Sequence, residues 1–175
     1  MERLFVLWKR HSYFNAVKPL TMNQEKLHFL KYESVSLLGK LDAGAKGNWG
    51  VMNGQQMVEH LADVVRNASG RSPLPVMNHG ELLEKARAFL LSDKPFRENT
   101  KNPVAGDTPP PLLKATITDA VADLQGELDY FFHVFETDPL LTTDNMVFGK
   151  LDYAMNIQLL HKHFTHHLRQ FGLVA

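Results

Sequence analysis

Nine histidines are spread along the chain, and two of them, in His163-Phe164-Thr165-His166-His167, have the spacing of a metal site. At 3.6 residues per turn, His163 and His167 stack one imidazole above the other, within reach of a single ion. Tyr153, Asn156, Ile157, Leu160, His163, Phe164, His167, Leu168 and Phe171 fall on one helical stripe, whereas His161, His166 and Arg169 point elsewhere. Two imidazoles buried side by side without partners leave ring nitrogens unsatisfied, at roughly 1–3 kcal/mol each. A shared cation removes that penalty. The alternative is that each ring hydrogen-bonds a backbone carbonyl or a carboxylate on a facing helix.

A metal with an open coordination position takes three protein ligands. The candidate on another helix is His60, in Trp49-Gly50-Val51-Met52-Asn53-Gly54-Gln55-Gln56-Met57-Val58-Glu59-His60-Leu61. It falls within about 60° of Met57 and Val64 on the helical wheel, at the edge of the buried face. A histidine in that position is also a common satisfied boundary residue. Glu59 and Asp63 are candidate outer partners of the ring, both expected on the solvated side. The chain has no cysteine, which excludes disulfides, thiolate ligands and a cysteine nucleophile and leaves nitrogen, oxygen or water to bind any metal. A zinc-peptidase motif is excluded because Phe164 stands where His-Glu-x-x-His needs its glutamate, and no Gly-x-Ser-x-Gly elbow or phosphate loop occurs. Asn53, Gln56, Tyr153 and Asn156 are candidate polar contacts on the inner face, although such residues more often cap helices or hydrogen-bond in a core.

Four segments with helical periodicity must position these side chains. The first, about 22–41, carries Leu27, Leu30, Leu37, Leu38 and Leu41 on one face, with Thr21 and Gln24 placed as a capping box. The second, about 54–69, opens at Asn53 with Gln56 three residues on. The third, about 112–136, runs Leu113, Ile117, Ala120, Val121, Leu124, Leu128, Phe131, Phe135, interrupted by Gly126 at about 1 kcal/mol. The fourth runs from Asp152 as N-cap to Gly172 as the residue past its end. A weaker helical stretch spans 80–91, followed by a loop over 92–111 that ends Pro109-Pro110-Pro111. No segment shows convincing period-2 alternation. The pattern predicts an all-α four-helix bundle with a long connection between the second and third helices.

At 175 residues, 44% hydrophobic and 22% charged, the chain reads as one globular domain over residues 21–175 behind an N-terminal extension over 1–20. Nineteen basic residues balance nineteen acidic ones, so no field of one sign draws it to nucleic acid or an anionic membrane. The run Leu4–Trp8 is too short for a signal peptide and no stretch is long enough for a membrane span. A peripheral anchor is the minor alternative for the extension. A cytoplasmic location is the expectation.

The string His163-Phe-Thr-His166-His167-Leu-Arg-Gln170 resembles the His-x-x-His-His-x-x-Gln signature of DinB-like proteins, and the Trp49-to-Leu61 string resembles the segment carrying that family's first ligand. Ending Gln170-Phe171-Gly172, the chain is similar to a subgroup known as a domain of unknown function. The resemblance covers roughly residues 22–172. It implies a four-helix bundle, a homodimer, and a divalent metal ion, zinc or nickel, on His60, His163 and His167. Some relatives use their metal to activate a low-molecular-weight thiol such as bacillithiol, mycothiol or glutathione. The resemblance therefore implies a metal-dependent transferase or hydrolase that turns an activated thiol or water on a small electrophilic substrate. The 1–20 extension and the 92–111 loop have no counterpart in that pattern. A non-catalytic dimeric bundle holding a small ligand or a structural metal is the alternative. A DNA-damage role rests on the family's name alone, and the zero net charge argues against direct nucleic-acid binding.

Overall fold

The computed structural model describes residues 22–99 and 108–175, which are mostly helical. The 1–20 extension, its Leu4–Trp8 run, Thr21 and the middle of the 92–111 loop lie outside the described residues. Among the described residues no helix is long and apolar enough to cross a membrane.

The first helical rod starts later than the capping box at Thr21 implied. Asn23 is the N-cap, its side chain accepting from the Lys26 N–H at 3.1 Å, and α1 spans Gln24–His28. A π-helical turn follows over Phe29–Glu33, and α2 completes the rod over Ser34–Leu38. The wider turn coincides with Ser34, whose hydroxyl donates to the Leu30 carbonyl at 3.1 Å. Leu30, Ser34 and Leu38 are the residues the rod buries.

Helix α3 spans Gly54–Ala68 and opens on the expected capping box: Asn53 accepts from Gln56 N–H while Gln56 accepts from Asn53 N–H. Helix α4 spans Gly80–Leu91, where the weaker periodicity pointed. Helix α5 spans Ile117–Thr137, capped by Thr116 rather than starting at 112. Leu113, counted above on its apolar face, is instead exposed in the segment before the helix. The reason is Glu59, which is buried, not solvated: its carboxylate accepts the Leu113 and Lys114 N–H groups at 2.8 and 3.0 Å. That carboxylate thus holds the entry to α5 and is no partner of His60. Burial pushes its pKa up, but the bonds from Gln55, Leu113 and Lys114 hold it below the ordinary value.

A short antiparallel hairpin, β1 (Thr143–Asn145) and β2 (Gly149–Leu151), precedes α6 (Tyr153–Gln170). No strand was expected; three-residue strands are too brief to show alternation. Side chains hold the hairpin down: Asn145 donates to Asn67, Thr143 to the Ala68 carbonyl, and Asn156 to the Thr143 hydroxyl at 3.0 Å. Helix α6 begins at the Asp152 N-cap and ends before Gly172, whose φ of 68° terminates it as expected.

One core joins the α1–α2 rod, α3, α5 and α6 through Leu30, Met57, Leu61, Leu124, Leu128, Phe131, Leu160 and Phe164. A second, smaller cluster of Leu90, Phe148, Leu151 and Leu159 seats α4 and the hairpin on the outer side of α6. This explains why α6 buries more than the one stripe expected, Gln158 and Lys162 included. Arg66 pins α3 to α5 by reaching both Asp123 and Glu127.

Gly126 is exposed and has an ordinary helical φ; a Cβ built there meets nothing within 4 Å. Gly126→Ala is therefore expected to stabilise the fold by about 0.5–1 kcal/mol, read as a raised urea midpoint at unchanged slope.

Candidate metal centre

His60 sits in the middle of α3, and His163 and His167 sit one turn apart near the end of α6. The Nε2 atom of His163 is 2.9 Å from His60 Nε2 and 3.1 Å from His167 Nε2, and one ligand atom from each residue lies within 4.8 Å of the others. The ring centroids are 4.8–5.1 Å apart. His167 is buried, while His60 and His163 keep one partly exposed edge.

Desolvation decides the charge of the cluster. The packing around the rings, more than the sliver of surface they retain, lowers all three pKa values. His163 is driven well below the ordinary imidazole value by burial and then by His167, His60 and His166. His167 is pushed down to about 3 by burial and by His60, against a hydrogen bond to Gln170 that favours the proton. His60 is lowered by burial, opposed by Asp63. All three rings are neutral at neutral pH.

Neutral rings in this arrangement cannot satisfy one another. Each Nε2 offers one proton or one lone pair. His163 Nε2 faces two neighbours and has one proton or one lone pair to share, so at most one of its two contacts can be a well-directed hydrogen bond. A cation at the shared point accepts all three lone pairs at once. The two contacts at His163 are close to the roughly 3.3 Å that separates two nitrogens on a tetrahedral ion with bonds of about 2.0–2.1 Å. Among the described residues no carboxylate joins the three. The residues present therefore suit a divalent ion with positions left open.

The remaining sequence candidates do other work. His166 hydrogen-bonds the Phe96 backbone and lies edge-on to the Phe96 ring and tilted against Trp49. His161 packs against Phe29, with its pKa depressed to about 4 by burial, Lys26 and Arg169. Asn53 and Gln56 form the α3 cap, Asn156 braces the hairpin, and Tyr153 stacks on Phe135 at 5.0 Å.

Phe96 went unnoticed in the sequence. It comes from the 92–111 loop and places its ring edge-on to His163, centroids 5.7 Å apart. A cavity of about 330 Å3 lies beside it, lined among others by Lys26, Trp49, Phe96, His161, His166 and Arg169. The three cluster histidines do not line that cavity, whereas Phe96 and His166, which do, touch the rings of His163 and His167. No family model, no curated protein and no solved structure matches the chain.

Two expectations follow. His60→Ala, His163→Ala and His167→Ala should each abolish stoichiometric metal in the purified protein, whereas His161→Ala and His166→Ala should retain it. Elemental analysis of the five variants checks this, and equal loss in all five rules out the ligand assignment. Second, His167 has its folded pKa near 3 against an ordinary 6.5, so below 6.5 the unfolded chain binds a proton that the folded chain does not. The metal-free protein should lose stability progressively as pH falls from about 6.5 toward 3, and His167→Phe should flatten that slope in urea melts.

Proposed function

We propose that this chain is a metal-dependent enzyme of the DinB-like type, a four-helix bundle acting as a cytoplasmic homodimer. His60, His163 and His167 hold a divalent zinc or nickel ion through Nε2. The observation that carries the reading is the convergence of three neutral nitrogens with no carboxylate in the cluster. Structural zinc sites are closed by four protein ligands, whereas catalytic ones keep a position free. An ion held only by neutral ligands keeps its full charge and favours the deprotonated form of a thiol or water presented to it.

The surrounding residues suit that role. Low pKa values keep the three rings unprotonated and ready to donate lone pairs well into mildly acid solution. The Phe96 ring covers His163 on one flank and limits water there. The rod of α1 and α2, together with α3, α5 and α6, supports the four-helix reading through their single shared core. The substrates proposed are a low-molecular-weight thiol and a small electrophile.

Protein loaded with zinc or nickel, tested with a panel of thiols against a chromogenic electrophile, should show thiol-dependent turnover that His163→Ala loses by at least a hundredfold. Stoichiometric ion binding without turnover across the panel would sink the enzymatic reading and leave a metal-holding helical bundle.

A further inference from the structure

Gln170 closes α6 and is 3% exposed, yet each of its polar side-chain atoms is engaged. Its Oε1 accepts from His167 Nδ1 at 2.7 Å, and its Nε2 donates to the Trp49 carbonyl at 2.6 Å. Its own backbone carbonyl accepts the Asn48 N–H at 2.7 Å. The direction of these bonds follows from elementary chemistry. A backbone carbonyl only accepts, so Trp49 forces the amide to present NH2 toward the loop and oxygen toward His167. An amide oxygen also only accepts, so His167 must carry its proton on Nδ1. The lone pair is then on Nε2, facing His163 and His60.

The loop that holds this amide is shaped around it. A Cβ at Gly47 would lie 2.8 Å from Gln170 Cγ, and one at Gly50 would lie 2.6 Å from Gln170 Nε2. Gly50 also has a φ of 78°, a conformation that side-chain-bearing residues rarely adopt. The same loop is closed by the Lys46–Asn53 bridge, and Asn53 caps the helix that carries His60. The entry to one ligand helix therefore grips the end of the other.

We infer that Gln170, held by the Gly47–Gly50 loop, is a positioning residue that fixes the tautomer and ring orientation of His167 and so readies the centre for a cation. The affinity part of this inference rests on the metal reading above; the tautomer part stands without it. Outer hydrogen-bond partners of metal-binding histidines commonly govern affinity by 10–100-fold.

The test uses full-length wild type, Gln170→Leu and Gly50→Ala, the second variant displacing the amide from an exposed site if the first fails to fold. In metal-free protein, ring 15N shifts read the His167 tautomer; cobalt(II) titration against a competing chelator reads affinity. Wild type should show a single Nδ1–H form. Both variants should show a mixture, with cobalt bound roughly 10–100-fold more weakly. A residue that merely packs would lower the melting temperature while leaving tautomer and cobalt affinity unchanged, and that result overturns the inference. If wild type holds the Nδ1–H form, the variants lose it and no protein binds cobalt, the positioning role stands and the metal reading falls.

Discussion

Everything distinctive in this molecule depends on an interaction that the polypeptide cannot complete by itself. Three ring nitrogens are brought to hydrogen-bonding distance where their proton count allows only one good bond among the two contacts at His163. Burial forbids the obvious escape, because protonating a ring would place a charge among two other imidazoles in a poorly solvated seam. The helices are nevertheless held in the register that creates the conflict. Core packing through Met57, Leu61, Leu160 and Phe164 fixes α3 and α6 in a single core, and Arg66 ties α3 to α5. A fold that keeps such a polar triangle holds three imidazole nitrogens where a single cation could meet them.

Much of this could be read from residue spacing because helices have fixed geometry. The i, i+4 step placed His163 over His167, and the Asn53–Gln56 pair and the Asp152 N-cap located two helix starts. The mostly helical character was legible for the same reason. What stayed hidden depended on contacts between distant segments. Glu59 looked solvated on a helical wheel, yet the chain before α5 returns to donate two N–H groups to it and moves the start of that helix to Ile117. The hairpin at 143–151 is defined by Asn67, Thr143 and Asn156 gripping backbone and one another, a pattern with no local periodicity. Phe96 could not be assigned to the centre because its seat is set from across the fold.

That seat has a physical origin in Lys162. Its ammonium is buried and donates to the carbonyls of Phe89, Ser92 and Lys94 at 3.0, 2.7 and 2.8 Å. Burial first, then Lys26, lowers its pKa. The three carbonyls satisfy all three of its donors, and the positive charge complements the negative end of α4. Lys162 thereby fastens the start of the 92–111 loop to α6, one residue from His163. Helix α6 thus does two jobs on two faces: the inner face supplies ligands, and the outer one anchors the loop whose aromatic ring flanks them.

The charged groups of α3 beyond His60 are gathered on Arg66. Asp63 stands three residues beyond His60, and its field favours the proton on that ring against the larger effect of burial. Arg66, three residues further, donates to the Asp63 carboxylate at 2.5 Å. Taken alone, so exposed a pair is worth little. But Arg66 is not free to leave, since Asp123 and the buried Glu127 hold its other nitrogens, and Arg71 completes the charge balance at Glu127. The same guanidinium thus locks α3 to α5 and pairs with a carboxylate whose field reaches His60. Among the described residues the grouped ligand atoms are three histidine nitrogens, and neutral ligands leave a cation its full charge.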